Sequence, residues 1–406
     1  MFSRQLPRWL RMAAVLDRAT PPSTGVIAGL LEKASRGLIL DAEEMIALLA
    51  GTRETRCRRT LLEFARHYRR PHDREILLLP PLYFSSICEN RCKYCSFSAD
   101  GSRLSLEEFE REVDALIGMG YRSIELVSSQ DPELYRKHAG FHPNRQRFRI
   151  PAVVQYITRL RERIDARGGG MITSNIPPVD VASLRRLRTA GLECFLCWLE
   201  TMDPAQYRRL HDAEGPKSDQ AFRLNAFERA VEAGIPHVAG AFLKGLHDWR
   251  REVFLFYRLD AYLKEKFGHG FSIIGTPRLK GAFMKSPLVR DYPVSDSDYE
   301  LNLALDRILY DGILWQQTRE SVMMNRHFIQ RYGAGVILTL TCSTAPGGYS
   351  APPRARAQFP VHQQNLAQEV RRFEDLGFRL HFKLEQRHVD PISAFDITAI
   401  IRCLRF

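Results

Sequence analysis

From Ile76 onward the chain alternates between short apolar, β-branched runs and longer segments of helical pattern. Eight candidate strands result, at 76–86, 122–128, 171–176, 193–200, 237–244, 270–276, 312–319 and 336–342. Helical patterns such as 104–119 and 179–190 lie between them. Several end in a glycine suited to the left-handed position after a helix, namely Gly120, Gly191 and Gly234. Strands in series with helices make parallel βα units, and eight such units predict a barrel. In such a barrel the chemistry sits at the carboxyl ends of the strands. The predicted architecture is α/β: a (βα)8 TIM-type barrel over 76–345, an N-terminal helical extension over 1–75, and a C-terminal loop and helix/strand extension over 346–406 that closes the barrel.

The extensions have their own signals. Asp41 is an N-cap candidate with acids in the turn that follows, and 52–70 continues as an Arg-rich helix before Pro71. The stretch Met1 to Ala19 is amphipathic and has no acid before Asp17. Transit peptides share that pattern, but the helical pattern that follows directly favours a surface helix packed on the barrel. After the last strand comes the loop Ala345-Pro-Gly-Gly-Tyr-Ser-Ala-Pro-Pro, then a helix over 361–376 with Gly377 behind it, then an extended run from Arg379.

The 406 residues are 45% hydrophobic and 26% charged, the balance of a soluble globular protein, and no apolar run approaches a membrane span. Lys and Arg number 59 against 47 acids, a net +12 that raises a nucleic-acid partner as a second class of function. The arginines are scattered through helical stretches, with no basic block interleaved with aromatics, which argues for a solvated surface. Eight cysteines in a chain this long do not make a disulfide framework.

Three of those cysteines stand in Cys88-Glu-Asn-Arg-Cys-Lys-Tyr-Cys-Ser-Phe-Ser98, directly after the first strand and so at the catalytic face. Thiolates are soft ligands that suit iron–sulfur clusters. A loop that supplies three of them can hold a cubane and leave one iron open for a substrate. A zinc knuckle is the alternative, but zinc wants a fourth ligand and neither flank offers a close His or Cys.

The C-x3-C-x2-C spacing with Tyr94 before the last cysteine resembles the radical S-adenosyl-L-methionine (SAM) enzymes. Within them, Pro81-Leu-Tyr-Phe-Ser-Ser-Ile-Cys88 resembles the aromatic amino acid lyases. So do Gly215-Pro-Lys-Ser-Asp219, Leu243-Lys-Gly-Leu-His-Asp-Trp-Arg250, Thr276-Pro-Arg-Leu279, Thr318-Arg-Glu-Ser321 and Ser343-Thr-Ala-Pro-Gly-Gly-Tyr-Ser350. That group includes 2-iminoacetate synthase, the tyrosine lyase of thiamin biosynthesis, and the tryptophan lyase that makes 3-methyl-2-indolic acid.

The resemblance implies roles. Cys88, Cys92 and Cys95 would ligate a 4Fe-4S cluster. Tyr94, Ser129, Gln130, Glu200 and Arg223 would contact SAM, with Arg223 on its carboxylate. Arg319 would clamp the carboxylate of a free amino acid, helped by Thr339, with Tyr83 and Arg278 facing the substrate. The implied reaction is fragmentation of an aromatic L-amino acid, foremost tyrosine, to 2-iminoacetate (dehydroglycine) and p-cresol. The implied partners are an external one-electron donor of flavodoxin or ferredoxin type and a pathway enzyme, in the cytoplasm, with neither nucleic acid nor membrane.

The chain departs from the group's pattern in three places: Val127-Ser-Ser-Gln130 stands for an ending in Gly-Glu, Leu199-Glu-Thr-Met202 for Gln-Glu-Thr-Tyr, and Pro277-Arg-Leu-Lys-Gly281 for Pro-Arg-Leu-Arg-Pro. These bear on the substrate more than on the class, and leave tryptophan or another amino acid as the alternative. Only Cys403 lies beyond residue 350, so the second cluster of the hydrogenase-maturation relatives is not expected. Cys194 and Cys197 point to opposite faces of one strand and read as packing residues.

Overall fold

The computed structural model describes residues 1–70, 72–137, 148–280, 289–316, 320–362 and 364–390. Its strands are β1 (Glu75–Leu78), β2 (Pro81–Ser85), β3 (Ile124–Ser128), β4 (Arg136–Lys137), β5 (Phe148–Arg149), β6 (Ile172–Asn175), β7 (Cys194–Glu200), β8 (His237–Phe242), β9 (Ile273–Gly275), β10 (Ile313–Gln316), β11 (Val336–Leu338) and β12 (Arg379–His381). Ten of them form one sheet in the order β12-β1-β11-β10-β9-β8-β7-β6-β3-β2, while β4 and β5 pair separately. Every pairing in the large sheet is parallel. All eight expected strand positions are present, and residues 317–319 of the seventh expected strand lie outside the described residues.

The first expected strand is divided. Pro80 and Pro81 have no backbone N–H, so the ladder cannot run through them. Below the break, Leu77 pairs with Ile337 of β11 on one side and His381 of β12 on the other. Above it, Tyr83 pairs with Val127 of β3. One run of chain therefore bonds to both ends of the curled sheet. The segment at β12 occupies the seam: Arg122 donates its backbone N–H to the Phe382 carbonyl at 2.8 Å, and Leu384 donates to Ser123 Oγ at 2.8 Å.

Strand alternation sorts the side chains into two layers. Leu77, Met171, Cys194, Leu196, Ala239, Ile273, Trp315 and Ile337 fill the inside, joined by Leu384 and Val389. Leu82, Phe84, Leu126, Phe195 and Cys197 belong to the larger core between sheet and helices. Cys194 and Cys197 thus face opposite sides, as their spacing requires.

The N-terminal helices join that outer core. Phe2 donates its backbone N–H to Glu228 Oε1 at 2.7 Å, and Leu40 donates to the Tyr257 hydroxyl at 2.8 Å. The helix Ala42–Gly51 starts on the expected cap: Asp41 accepts from Glu43 and Glu44, and Glu44 reaches back to the Asp41 N–H. Such a box is worth about 1 kcal/mol. The helix expected at 361–376 spans Leu366–Asp375 and ends on Gly377, whose φ is 80°. Among the described residues no helix is long and apolar enough to cross a membrane.

Candidate active site

A cavity of about 1170 Å³, its open mouth included, lies at the carboxyl ends of the strands. Cys88, Cys92 and Cys95 stand in its wall, together with Tyr83, Tyr94, Ser129, Gln130, Glu200, Arg223 and Thr339. Ten of the twelve site residues expected from the sequence therefore share one cavity.

The cysteine loop is fixed by backbone bonds. Cys88 N–H donates to the Ser98 carbonyl at 2.9 Å, Glu89 N–H to that of Gln130 at 3.1 Å, and Lys93 N–H to that of Leu210 at 3.1 Å. Beside it, Asp131 is fully buried and binds Ser85 Oγ at 2.7 Å and Arg103 Nε at 2.8 Å, which locks the end of β2 to the turn after β3. Burial pushes all three thiols up from their ordinary value. Two side-chain amides point N–H groups at sulfur: Asn90 toward Cys88 Sγ at 3.8 Å and Gln358 toward Cys95 Sγ at 3.6 Å.

The loop after β11 covers the cysteines. Gly347 has a φ of 82°, which favours glycine, and a Cβ on Gly348 would sit 1.7 Å from Ser343 Oγ, so the Pro-Gly-Gly-Tyr turn is built on both glycines. Glu112 pins the turn by accepting from the Tyr349 and Ser350 N–H groups. Gln358 then lies over the site. Its carbonyl accepts from Ser96 N–H at 3.2 Å, and its Oε1 accepts from the Tyr83 hydroxyl at 2.8 Å.

Glu200 sits where the β7–β8 register slips by one residue, and its φ of 67° lies in the left-handed region. A bulge of this kind re-aims a side chain beside a site. Lys217 Nζ donates to Glu200 Oε1 at 2.5 Å and to the Tyr94 hydroxyl at 3.0 Å. Tyr94 donates onward to His211 Nε2 at 2.6 Å, and His211 Nδ1 donates to the Tyr207 carbonyl at 2.8 Å. That chain requires a neutral His211. Burial, with Lys217 and Arg223 nearby, accordingly depresses its pKa to about 2. Burial works against the Lys217 charge, but Cys92 and Glu200 outweigh it and raise the pKa.

Arg223 lies on the short helix Gln220–Leu224, capped by Asp219. Burial disfavours its charge, yet Cys197, Tyr207 and Glu200 hold its pKa above the ordinary value. Its Nη1 points at Cys197 Sγ at 3.6 Å, and its buried Nε has no hydrogen-bond partner. Arg223 also lines the cavity, and a guanidinium at a cavity wall suits a carboxylate.

Other expected residues stand differently. The Arg278 side chain does not line the cavity: Nε and Nη2 grip Glu320 at 2.9 and 2.6 Å, and Nη2 also meets Asp296 at 2.7 Å. Its guanidinium is consumed as a structural clamp, which corrects the substrate-facing role. Thr339 does line the cavity, but its hydroxyl donates to the Leu79 carbonyl at 3.1 Å and accepts from Trp315 Nε1 at 2.9 Å. It cannot also donate to a carboxylate without releasing Leu79. The Gln130 carbonyl accepts from Glu89 N–H, and its second lone pair leaves it able to meet a ligand. Arg319 lies outside the described residues.

Sequence reasoning missed Lys217, His211, Gln358 and Glu125. Lys217 sits in the quoted stretch Gly215–Asp219 without a role. The signal for Glu125 was present: an acid in an apolar strand, in phase with the inward Val127. For Gln358 and His211 there was none, because their partners are far away in sequence.

The cavity fits a thiolate-held cluster. Three soft donors from one loop face it, N–H groups reach two of the sulfurs, and the cations Lys217 and Arg223 stand beside the negative charge. Among the described residues no three His, Cys, Asp or Glu side chains close around a single point as one metal ion requires. A cubane takes one thiolate at each of three irons and needs no such closure.

Residues 82–256 match the model of the Radical SAM superfamily. The 2-iminoacetate synthases of Escherichia coli and Salmonella typhimurium are 26% and 24% identical to this chain, over 85% of it and 87% of each relative. The X-ray structure of the FeFe-hydrogenase maturase HydG from Carboxydothermus hydrogenoformans superposes with a TM-score of 0.80 at 27% identity, covering 99% of this chain and 90% of that one. Methylornithine synthase (PylB) shares the fold at a TM-score of 0.62 and 18% identity.

Proposed function

Residues 82–256 are a radical SAM domain, and on that premise we propose that the protein fragments a free aromatic L-amino acid, tyrosine first, at its Cα–Cβ bond to 2-iminoacetate and p-cresol. One observation carries the reading. The three cysteines, Tyr94, Glu200 and Arg223 line the same cavity as Tyr83 and Thr339. The likeness to the 2-iminoacetate synthases over 85% of the chain supports the substrate.

When bound, a 4Fe-4S cluster and SAM supply a one-electron cleavage that leaves a 5'-deoxyadenosyl radical able to remove one hydrogen atom from the substrate. Cys88, Cys92 and Cys95 would hold the cluster as thiolates, each giving up the proton that burial otherwise keeps on it. Arg223 would take the SAM carboxylate, Glu200 the amino group, and Tyr94 would flank the adenine. Arg319 would hold the amino acid's carboxylate. The walls then present the substrate amine to the mouth and exclude water, which is positioning more than chemistry. A one-electron donor of flavodoxin or ferredoxin type would approach the cysteine loop, in the reducing cytoplasm that free thiols require.

A second reading keeps the chemistry and changes the amino acid to tryptophan or another. It rests on Arg278, whose engagement with Glu320 removes one polar group from the substrate wall. The test is anaerobic reconstitution with iron and sulfide, then incubation with SAM, dithionite and each aromatic amino acid. Mass spectrometry reads 5'-deoxyadenosine and small aromatic products. Deoxyadenosine with p-cresol from tyrosine supports the first reading; deoxyadenosine with another amino acid alone supports the second. A well-formed cluster that yields none under any condition overturns both.

A further inference from the structure

We infer that Glu125, with Asn175 beside it, forms a specificity-determining pair at the floor of the cavity and hydrogen-bonds a neutral hydroxyl at the far end of the substrate side chain. The inference rests on the amino acid reading above and names what that reading leaves open.

The position follows from register. On β3, Leu126 faces the outer core while Glu125 and Val127 line the cavity. Glu125 pairs with Pro81 and Thr173, one level below the pairs Tyr83–Val127 and Val127–Asn175. Thr173 pairs in turn with Cys194, which belongs to the apolar plug inside the sheet. Glu125 is therefore the acid at the bottom of the open space, on the side away from the cysteine loop.

A carboxyl there needs a reason. It is 4% exposed, and its polar neighbour is the Asn175 side chain. Among the described residues no ion pair reaches it. Burying such a group without a full set of partners costs free energy, whereas a leucine at the same place would extend the apolar layer. The Ile124-Glu-Leu-Val sequence keeps the acid in an otherwise aliphatic strand.

The chemistry selects the ligand class. Burial raises the Glu125 pKa to about 8, so at neutral pH the group is mostly an uncharged acid. An uncharged acid offers one O–H donor and one carbonyl acceptor side by side. A phenol is its complement, since it donates to the carbonyl oxygen and accepts from the acid O–H. An indole N–H satisfies only the acceptor, a phenyl ring satisfies neither, and an ammonium asks the acid to ionise in an apolar layer. A site that binds a hydroxyl rejects the analogue without it strongly, because its own polar groups are then left unpaired.

The test is equilibrium binding of tyrosine, phenylalanine, tryptophan and lysine to the reconstituted enzyme with SAM, for the native protein and the variants Glu125→Gln and Glu125→Leu. Native enzyme is expected to prefer tyrosine to phenylalanine by about a hundredfold or more. Glu125→Gln, which keeps a donor and an acceptor, should retain most of that ratio. Glu125→Leu should reduce it to within about tenfold while melting at the same temperature or higher. A ratio unchanged in Glu125→Leu overturns the inference, as does tighter binding of lysine than of tyrosine. Failure of Glu125→Leu to fold also overturns it, since the carboxyl would then be structural. Tyrosine selectivity that depends on Glu125 without any deoxyadenosine formed would uphold the pair and sink the lyase reading.

Discussion

Lys217 Nζ stands 2.5 Å from Glu200 Oε1, and Glu200 holds its place with a left-handed φ of 67°. Among the described residues only His72 shares such a φ without being glycine. A strained acid held by a buried lysine is a preorganised pair at the mouth of the cavity. Both side chains are largely buried, at 13% and 10% exposure. Lys217→Met should therefore cost about 3 kcal/mol by leaving a carboxylate without its cation. Urea unfolding of the metal-free protein measures it, and Lys217→Met/Glu200→Gln should recover most of the loss. A single variant as stable as the parent would show that the pair contributes nothing.

Gln358 joins two parts of the site that are distant in sequence, donating toward Cys95 Sγ and accepting from Tyr83. Hydrogen bonds to ligand sulfur favour the reduced, more negative cluster. Gln358→Leu should shift the reconstituted cluster to a lower reduction potential, read by an anaerobic redox titration. The KM for the amino acid should rise as well, because Tyr83 loses its anchor. No change in potential would mean that the contact is lost once the cluster is loaded.

His211 should make the protein sensitive to acid. Its folded pKa of about 2 lies below the ordinary 6.5, because burial and the neighbouring cations disfavour the imidazolium. The unfolded chain binds the proton more readily, so this contribution is whole above 6.5 and is lost as pH falls below it. The expected slope is about 1.4 kcal/mol per pH unit. Denaturation midpoints followed from about pH 7 to about pH 5 should show it, and His211→Gln should flatten that part of the profile. An equal slope in both proteins would place the acid sensitivity elsewhere.

Glu125 acts in the opposite sense. Burial lifts its pKa from 4.5 to about 8, so the folded state holds a proton that the unfolded chain releases. Stability is then lost as pH rises from 4.5 toward 8. The advantage of Glu125→Leu in melting temperature should widen from about pH 5 to about pH 8. A constant difference across that range would indicate that the carboxyl ionises as freely as in water.

Much of this molecule was legible locally. The strand–helix alternation predicted the barrel because parallel strands need crossovers, and that constraint operates over some thirty residues at a time. Asp41 and Gly377 marked helix ends through chemistry confined to a single turn. The cysteine spacing located the mouth because the loop follows directly on β2. The division at Pro80 could also have been seen, since two adjacent prolines cannot donate to a ladder.

Other features depended on distance. Arg278 and Arg223 are both arginines near the ends of barrel elements, and their sequence contexts do not separate them. Glu320 neutralises one, while the other keeps a buried N–H unused. Which acid meets which cation is set by packing across elements far apart along the chain. The sequence by itself determined the class of chemistry, through three thiols on one loop and a repeating pattern of strand and helix, because both are encoded by near neighbours. Only the tertiary structure decided that Lys217, Gln358 and His211 belong to the site, because a side chain's role there comes from the partners and the burial that folding imposes on it.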